Sequence, residues 1–373
     1  MSSSASVKPG CATPKGTRTF ATRFEGRAAL GHFRDRRGLM MSSIGIGTYL
    51  GQTDAATDRN YIEAVVAAVQ GGVNVVDTAI NYRLQRSERS IGGALAKLFA
   101  DGFEREEILI CTKAGFLTPD GEMPADANDY FLREYISKGI FAVEDIAAGC
   151  HCMTPRYLKD QIERSLRNLG VSCIDVSYLH NPETQLGEVP REEFNRRIAA
   201  AFETFESEAA AGKIRAYGLA TWNAFRNESH APDYLSLEQM VGLARQAGGN
   251  GHHLHFVQLP FNLAMPEALM RPNQTVGGKT MSMVQAARDL GITLIASASL
   301  LQSHLAGKVS AVIHDTFGLK DDLDCALQFV RSAPGITTAL VGMEKVDHVK
   351  ANLRLGGIPP ASHEQFRKMF AAR

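Results

Sequence analysis

Residues 58–82 read DRNYIEAVVAAVQGGVNVVDTAINY, an amphipathic stretch that runs into a short apolar one. Across Asp58–Gln70, Ile62, Val65, Val66 and Val69 recur at the spacing of one helix face, and Gly71 stands where that helix stops. Val73–Ala79 then carries the β-branched run of a buried strand. Outward from this unit the same alternation repeats. Candidate strands lie at Ser43–Thr48, Val73–Ala79, Ile108–Ala114, Asp175–His180, Ala216–Thr221, Phe256–Phe261, Thr293–Ser299 and Thr337–Gly342, which makes eight. Pro155–Leu169, with Leu158, Ile162 and Leu166 on one face, is another such helix; Gly170 and Gly291 mark further stops. Eight β-then-α units in 373 residues predict an α/β fold, a (β/α)8 TIM barrel, which needs ~250 residues plus insertions.

Length alone would suggest two domains at ~150 residues each, but the repeat predicts one barrel over 42–373 behind an N-terminal extension, 1–41. A doubly wound sheet would carry a glycine-rich phosphate turn opening directly into a helix. Gly45-Ile46-Gly47-Thr48-Tyr49-Leu50-Gly51 falls short of it, because Gln52 to Thr57 read as loop and cap. Lys+Arg and Asp+Glu balance at 40 each, so no global field recruits nucleic acid or an anionic membrane. Nor does any stretch approach the ~20 apolar residues of a membrane span. A small-molecule partner is expected. Six scattered cysteines do not make a disulfide scaffold and fit a reducing cytoplasm. Met1 to Gly38 is basic and Ser/Thr-rich, as a transit peptide is, yet the spacing of Phe20, Phe24 and Phe33 predicts a segment packed on or capping the barrel.

After the third strand, residues 116–152 intervene before a helix, where ~2–6 residues are usual. In a barrel this insertion rises from the carboxyl face, and Tyr130, Phe131, Tyr135 and Phe141 suit a lid over a pocket, or an extra buried contact. Cys150-His151-Cys152 has no second ligand pair at metal spacing, and His252-His253-Leu254-His255 reads as loop and strand start. No metal is expected.

Barrel chemistry sits at the carboxyl ends of strands. Asp77-Thr78-Ala79-Ile80-Asn81-Tyr82 ends the second strand, Thr112-Lys113 the third and Tyr178-Leu179-His180-Asn181 the fourth. A carboxylate and an ammonium leaving adjacent strands can pair, and an ammonium beside a phenol stabilises the phenolate, lowering its pKa from ~10. Such a phenol can donate a proton to a carbonyl oxygen that a histidine orients.

These stretches, with Ser43-Ile44-Gly45-Ile46-Gly47-Thr48, Ser87-Glu88, Ile91-Gly92-Gly93-Ala94-Leu95, Asp175 to Pro182 and Gln258-Leu259-Pro260-Phe261-Asn262, resemble the aldo-keto reductase family from about Ser42 to Asn352. The resemblance implies a nicotinamide-dependent reductase of aldehydes or ketones on a (β/α)8 barrel. Its catalytic tetrad would be Tyr82 as general acid, Lys113 lowering its pKa, Asp77 fixing Lys113, and His180 orienting the substrate. It also implies an extended cofactor, NADP(H) or NAD(H), across the barrel mouth. Gly47, Thr48, Asp77, Gln258, Ser297, Ser299 and Leu300 would line it, with Gly342, Glu344, Lys345, His348 and Asn352 at its adenine end. Where the family usually has Ser-Asn after the fifth strand, this chain offers Thr221 and Asn223; Ser297 stands where a stacking ring is common. Glu344 would repel a 2′-phosphate, whereas Lys345 and His348 would attract one. Tyr49, Tyr82, His180 and Trp222 would line the substrate pocket.

The first reading is therefore carbonyl reduction, or its reverse, by hydride transfer with Tyr82 as general acid/base. The alternative is a cofactor-independent barrel that performs an elimination or isomerisation. A nicotinamide-binding sensor is a third reading, against which the intact Tyr82 and Lys113 argue.

Overall fold

The computed structural model describes residues 7–304, 307 and 309–371. Residues 1–6 of the N-terminal extension and residues 305, 306, 308, 372 and 373 of the barrel segment lie outside the described residues. A helix, α1 (Pro14–Thr22), leads to a hairpin, β1 (Phe33–Arg36) and β2 (Leu39–Ser42). Then come β3 (Ile44–Gly47), α2 (Ala55–Gln70), β4 (Val75–Asp77), α3 (Arg86–Ala100), β5 (Leu109–Ala114), α4 (Ala127–Phe131), α5 (Pro155–Leu169), β6 (Ile174–His180) and α6 (Arg191–Ala210). They are followed by β7 (Ile214–Ala220), α7 (Leu237–Gly248), β8 (Leu254–Pro260), α8 (Glu267–Met270), β9 (Gln274–Val276), β10 (Lys279–Met281), α9 (Met283–Asp289) and β11 (Thr293–Ser297). The chain ends through α10 (Ala311–Phe317), α11 (Asp322–Ser332), β12 (Ile336–Gly342), α12 (Val346–Leu353) and α13 (His363–Ala371).

Strands β3 to β8, β11 and β12 close in that order into an eight-stranded barrel, each paired parallel to its neighbours. Each of the eight expected strands is present. The second, Val75–Asp77, is shorter than Val73–Ala79, and just before it the Asn74 side chain bonds to the hairpin: Nδ2 donates to the Met40 carbonyl at 2.7 Å and Oδ1 accepts from Ser42 N at 2.8 Å. Inside the barrel, Tyr178 fills the space beside Gly218, where a Cβ would stand 2.4 Å from the Phe256 carbonyl.

The β1–β2 hairpin turns at Arg37 and Gly38, both with positive φ (53° and 81°), the geometry that suits the twist of a two-residue hairpin. Its Leu39 and Met41 are buried in one cluster with the barrel-strand residues Val75, Leu109, Val176, Phe256 and Leu340. Arg34 donates to the Ile336 and Thr337 carbonyls at 2.8 and 3.0 Å, which ties the hairpin to the start of β12.

The insertion has a small core of its own. Its Tyr135, Phe141 and Cys152 are buried together with Tyr157 of α5, with Tyr135 stacked on Phe141 at 5.3 Å between centroids. Among the described residues no helix is long and apolar enough to cross a membrane.

Candidate active site

Neighbouring strands place the chemistry. In register, Gly342 of β12 lies beside Gly47 of β3, and Gly47 beside Asp77 of β4. Lys113, near the end of β5, donates from Nζ to Asp77 Oδ2 at 2.6 Å and to the Thr78 carbonyl at 2.7 Å. Gln258 Nε2 donates to the other Asp77 oxygen at 2.8 Å. The Lys113 ammonium stands 4.8 Å from the centre of the Tyr82 ring. That ring meets His180 edge-on at 5.8 Å and Tyr49 at 5.0 Å. Asp77, Tyr82, Lys113 and His180 thus form one cluster at the barrel's carboxyl end.

Burial sets the electrostatics. It raises the Tyr82 phenol above its ordinary value by more than the Lys113 charge lowers it, so the net shift runs opposite to the one expected from the sequence. Burial acts downward on Lys113, but the Asp77 carboxylate and the phenol outweigh it and hold the ammonium charged. His180 is pushed well below the usual histidine range by burial, then by Lys113 and His151, and is therefore neutral at neutral pH. Its Nδ1 is buried without a hydrogen-bond partner.

The backbone around the cluster is strained. Arg83, Leu84 and Gln85, directly after Tyr82, all have positive φ (49°, 55° and 71°), as do Asn181 after His180 (44°) and Ala298 after Ser297 (53°). Left-handed non-glycine residues cost about 1–3 kcal/mol each and persist where their surroundings fix them. Here Arg83 does so, with Nε to the Gln52 carbonyl and Nη2 to Asp58 Oδ1, both at 2.6 Å.

Of the residues expected to hold a cofactor, Thr221 and Ser299 carry buried hydroxyls without partners. Ser297, Leu300 and Asn223 are partly buried near the strand ends, and the Ser297 carbonyl accepts from Phe261 N at 3.1 Å. Thr48 stands apart, because its hydroxyl donates to Thr78 Oγ1 at 2.9 Å within the wall. Gly342 at the end of β12 and Lys345 and His348 beyond it are exposed, and Asn352 is partly buried. Glu344 accepts from Asn60 Nδ2 at 2.9 Å, so its carboxylate is tied to α2. Tyr49 and Trp222 are exposed.

Three residues here were not anticipated. The Glu183 carboxylate accepts from Trp222 N at 2.7 Å and Asn223 N at 3.2 Å, and burial pushes it up to about 7. Its one signal was position, three residues past His180. His151 is buried in the insertion; its Nε2 donates to the His180 carbonyl at 2.8 Å while Nδ1 accepts from Gln185 at 3.0 Å. Phe116 packs edge-on against both His151 (5.2 Å) and His180 (5.0 Å). Among the described residues no group of three His, Cys, Asp or Glu could hold a metal.

Comparison with known proteins agrees with this architecture. The sequence profile described as "Aldo/keto reductase family" matches residues 43–314, and the chain belongs to that family. It is similar to D-threo-aldose 1-dehydrogenase of a Pseudomonas species, 29% identical over 49% of this chain and 51% of that protein. It is also similar to aldo-keto reductase YhdN of Bacillus subtilis (strain 168), 25% identical over 73% and 62%. The chain thus spans about half to three-fifths of the length of these curated relatives. The crystal structure of aldo/keto reductase from Klebsiella pneumoniae in complex with NADP and acetate shares the fold, with a TM-score of 0.61 at 19% identity over 92% of this chain and 95% of that one. The glycerol dehydrogenase AKR11B4 from Gluconobacter oxydans does so with a TM-score of 0.62 at 18% identity, over 92% and 95%.

Proposed function

We propose that the protein is an NAD(P)H-dependent oxidoreductase that reduces an aldehyde or ketone to an alcohol, or runs the reverse, with Tyr82 as general acid/base. The observation that carries this reading is the fixed Lys113, held by Asp77 and the Thr78 carbonyl with its charge over the Tyr82 ring. Reducing a carbonyl builds negative charge on its oxygen, and a half-buried phenol that keeps its proton at neutral pH is placed to meet it. As the proton leaves, the Lys113 ammonium stabilises the phenolate. A neutral His180 can orient the carbonyl oxygen without adding a second charge.

The residues present fit a nicotinamide dinucleotide. The unpartnered hydroxyls of Thr221 and Ser299 suit the carboxamide end. At the other end, α12 starts without a side-chain cap, leaving backbone N–H groups of the kind that bind phosphate, with Lys345 and His348 exposed beside them. Such a cofactor supplies the hydride when bound. Glu344 opposes a 2′-phosphate and the two basic residues favour it, so both NADP(H) and NAD(H) are carried forward.

The similarity to D-threo-aldose 1-dehydrogenase and to a glycerol dehydrogenase supports a small carbonyl or alcohol substrate. Tyr49 and Trp222 are assigned to its pocket, and the scattered free cysteines support a cytoplasmic setting. The test is titration with NADPH and then NADH, followed by nicotinamide fluorescence and quenching of Trp222. Micromolar binding of one or both is the expected result. No binding of either by folded protein would overturn the reading in favour of a non-redox barrel.

A further inference from the structure

At the amino end of the barrel the hairpin turn meets the strand starts. Asp175, Arg215 and His255 are the second residues of β6, β7 and β8, and with Arg37 of the hairpin turn they line one cavity of about 380 Å³. Leu39, Leu109, Val176 and Phe256, all buried, line it as well. The Asp175 carboxylate is already engaged: Oδ2 accepts from Arg105 Nη2 at 2.6 Å and Ile110 N at 2.8 Å, and Oδ1 from Ala12 N at 2.6 Å. The two arginines of the cavity have no such counter-charge. Arg37 donates from Nη2 to His255 Nε2 at 3.0 Å and from Nη1 to the Gly291 carbonyl at 3.4 Å, and Arg215 donates to the Ala12 carbonyl. Among the described residues neither guanidinium forms an ion pair with a carboxylate. His255 donates from Nδ1 to the Leu254 carbonyl at 2.9 Å, which leaves Nε2 as the acceptor for Arg37. Burial and the Arg37 charge hold that ring down at about 4, so it is neutral at neutral pH.

We propose that this cavity is a binding site for a small organic anion, a phosphate or carboxylate head on a short apolar body, at the barrel end opposite the candidate active site. Two guanidiniums bordering one cavity repel each other, and burial and the Arg215 charge both act to lower the Arg37 guanidinium. An oxyanion between them replaces that repulsion with charge-assisted hydrogen bonds, which a guanidinium fork can make to two oxygens at once. The cavity is of the size that takes a small molecule, and its Leu39, Leu109, Val176 and Phe256 wall suits the apolar body. Bound there, the anion joins the hairpin, through Arg37, to β7, through Arg215, and stabilises the fold by mass action.

The test titrates the full-length protein with phenyl phosphate, benzoate and inorganic phosphate by calorimetry. At least one organic probe is expected to saturate, about tenfold tighter than inorganic phosphate, which has no apolar body to bury; the tighter of the two names the head group. Arg37→Asn, which keeps a residue that tolerates the turn's positive φ, is expected to weaken that binding by about tenfold or more. Phenylglyoxal labelling of wild-type protein needs no variant to fold. The bound probe is expected to protect Arg37 and not Arg367, which is likewise exposed, as read by peptide mapping. No saturable binding of either organic probe, binding no tighter than that of inorganic phosphate, full affinity in Arg37→Asn, or an unprotected Arg37 would overturn the proposal. None of these readouts depends on reductase activity.

Discussion

Tyr82 keeps its proton because desolvation outweighs the Lys113 charge, and the direction of that shift sets a pH dependence. Its pKa lies above the ordinary tyrosine value, so carbonyl reduction is expected to be flat through neutral pH and to fall only in the alkaline range. Alcohol oxidation needs the phenolate and is expected to rise with pH; rate profiles in both directions check this. Lys113→Met removes the lowering influence and moves the alkaline limb higher. It also leaves the buried Asp77 unpaired, at about 3–5 kcal/mol of stability, measurable by denaturant unfolding. That Asp77, Lys113 and His180 would come close together was legible, because they sit at strand ends that periodicity locates. The sign of the phenol's shift was not, because desolvation depends on what surrounds a side chain and no spacing encodes that.

Between elements, the joints carry the positioning. Gly115, just before the insertion, has φ 140°, and a Cβ there would lie 2.7 Å from His151 Nε2, the atom that holds the His180 carbonyl. Gly115→Ala is therefore expected to disturb His180 and lower kcat/KM by about tenfold or more, the scale of a small misplacement at a reacting centre. Glu183 anchors the turn after β7, and its folded pKa of about 7 lies above the unfolded carboxylate value. The stability it contributes is full at low pH and lost as pH rises through about 7. Thermal melts of Glu183→Gln and wild type are expected to converge in acid, with the variant ahead above neutrality. The insertion's span showed in the sequence as a gap between strand and helix, but its contact with His180 through Phe116 and His151 did not. Nor did the β9–β10 hairpin, although Gly277-Gly278, both at positive φ, is a hairpin turn signal.

Across the whole molecule, the barrel is plugged at its amino end by the hairpin and open to chemistry at its carboxyl end. Met41→Ala removes a fully buried side chain from the cluster shared by hairpin and barrel, and is expected to cost about 2–5 kcal/mol in denaturant unfolding with cofactor affinity unchanged. The barrel itself was legible because eight apolar runs alternate with helical spacing over most of the chain. The β1–β2 hairpin within the N-terminal extension was not, because β1 is only partly buried and polar, and its Arg34 finds its partners on β12 some 300 residues away. The measurement closest to the central claim is turnover of Tyr82→Phe with its nicotinamide cofactor and an accepted carbonyl substrate, beside cofactor binding by the same variant. Loss of the proton donor alone predicts kcat/KM down by about 10²–10⁴ with cofactor affinity unchanged. A variant that binds the cofactor and turns over at the wild-type rate would contradict it.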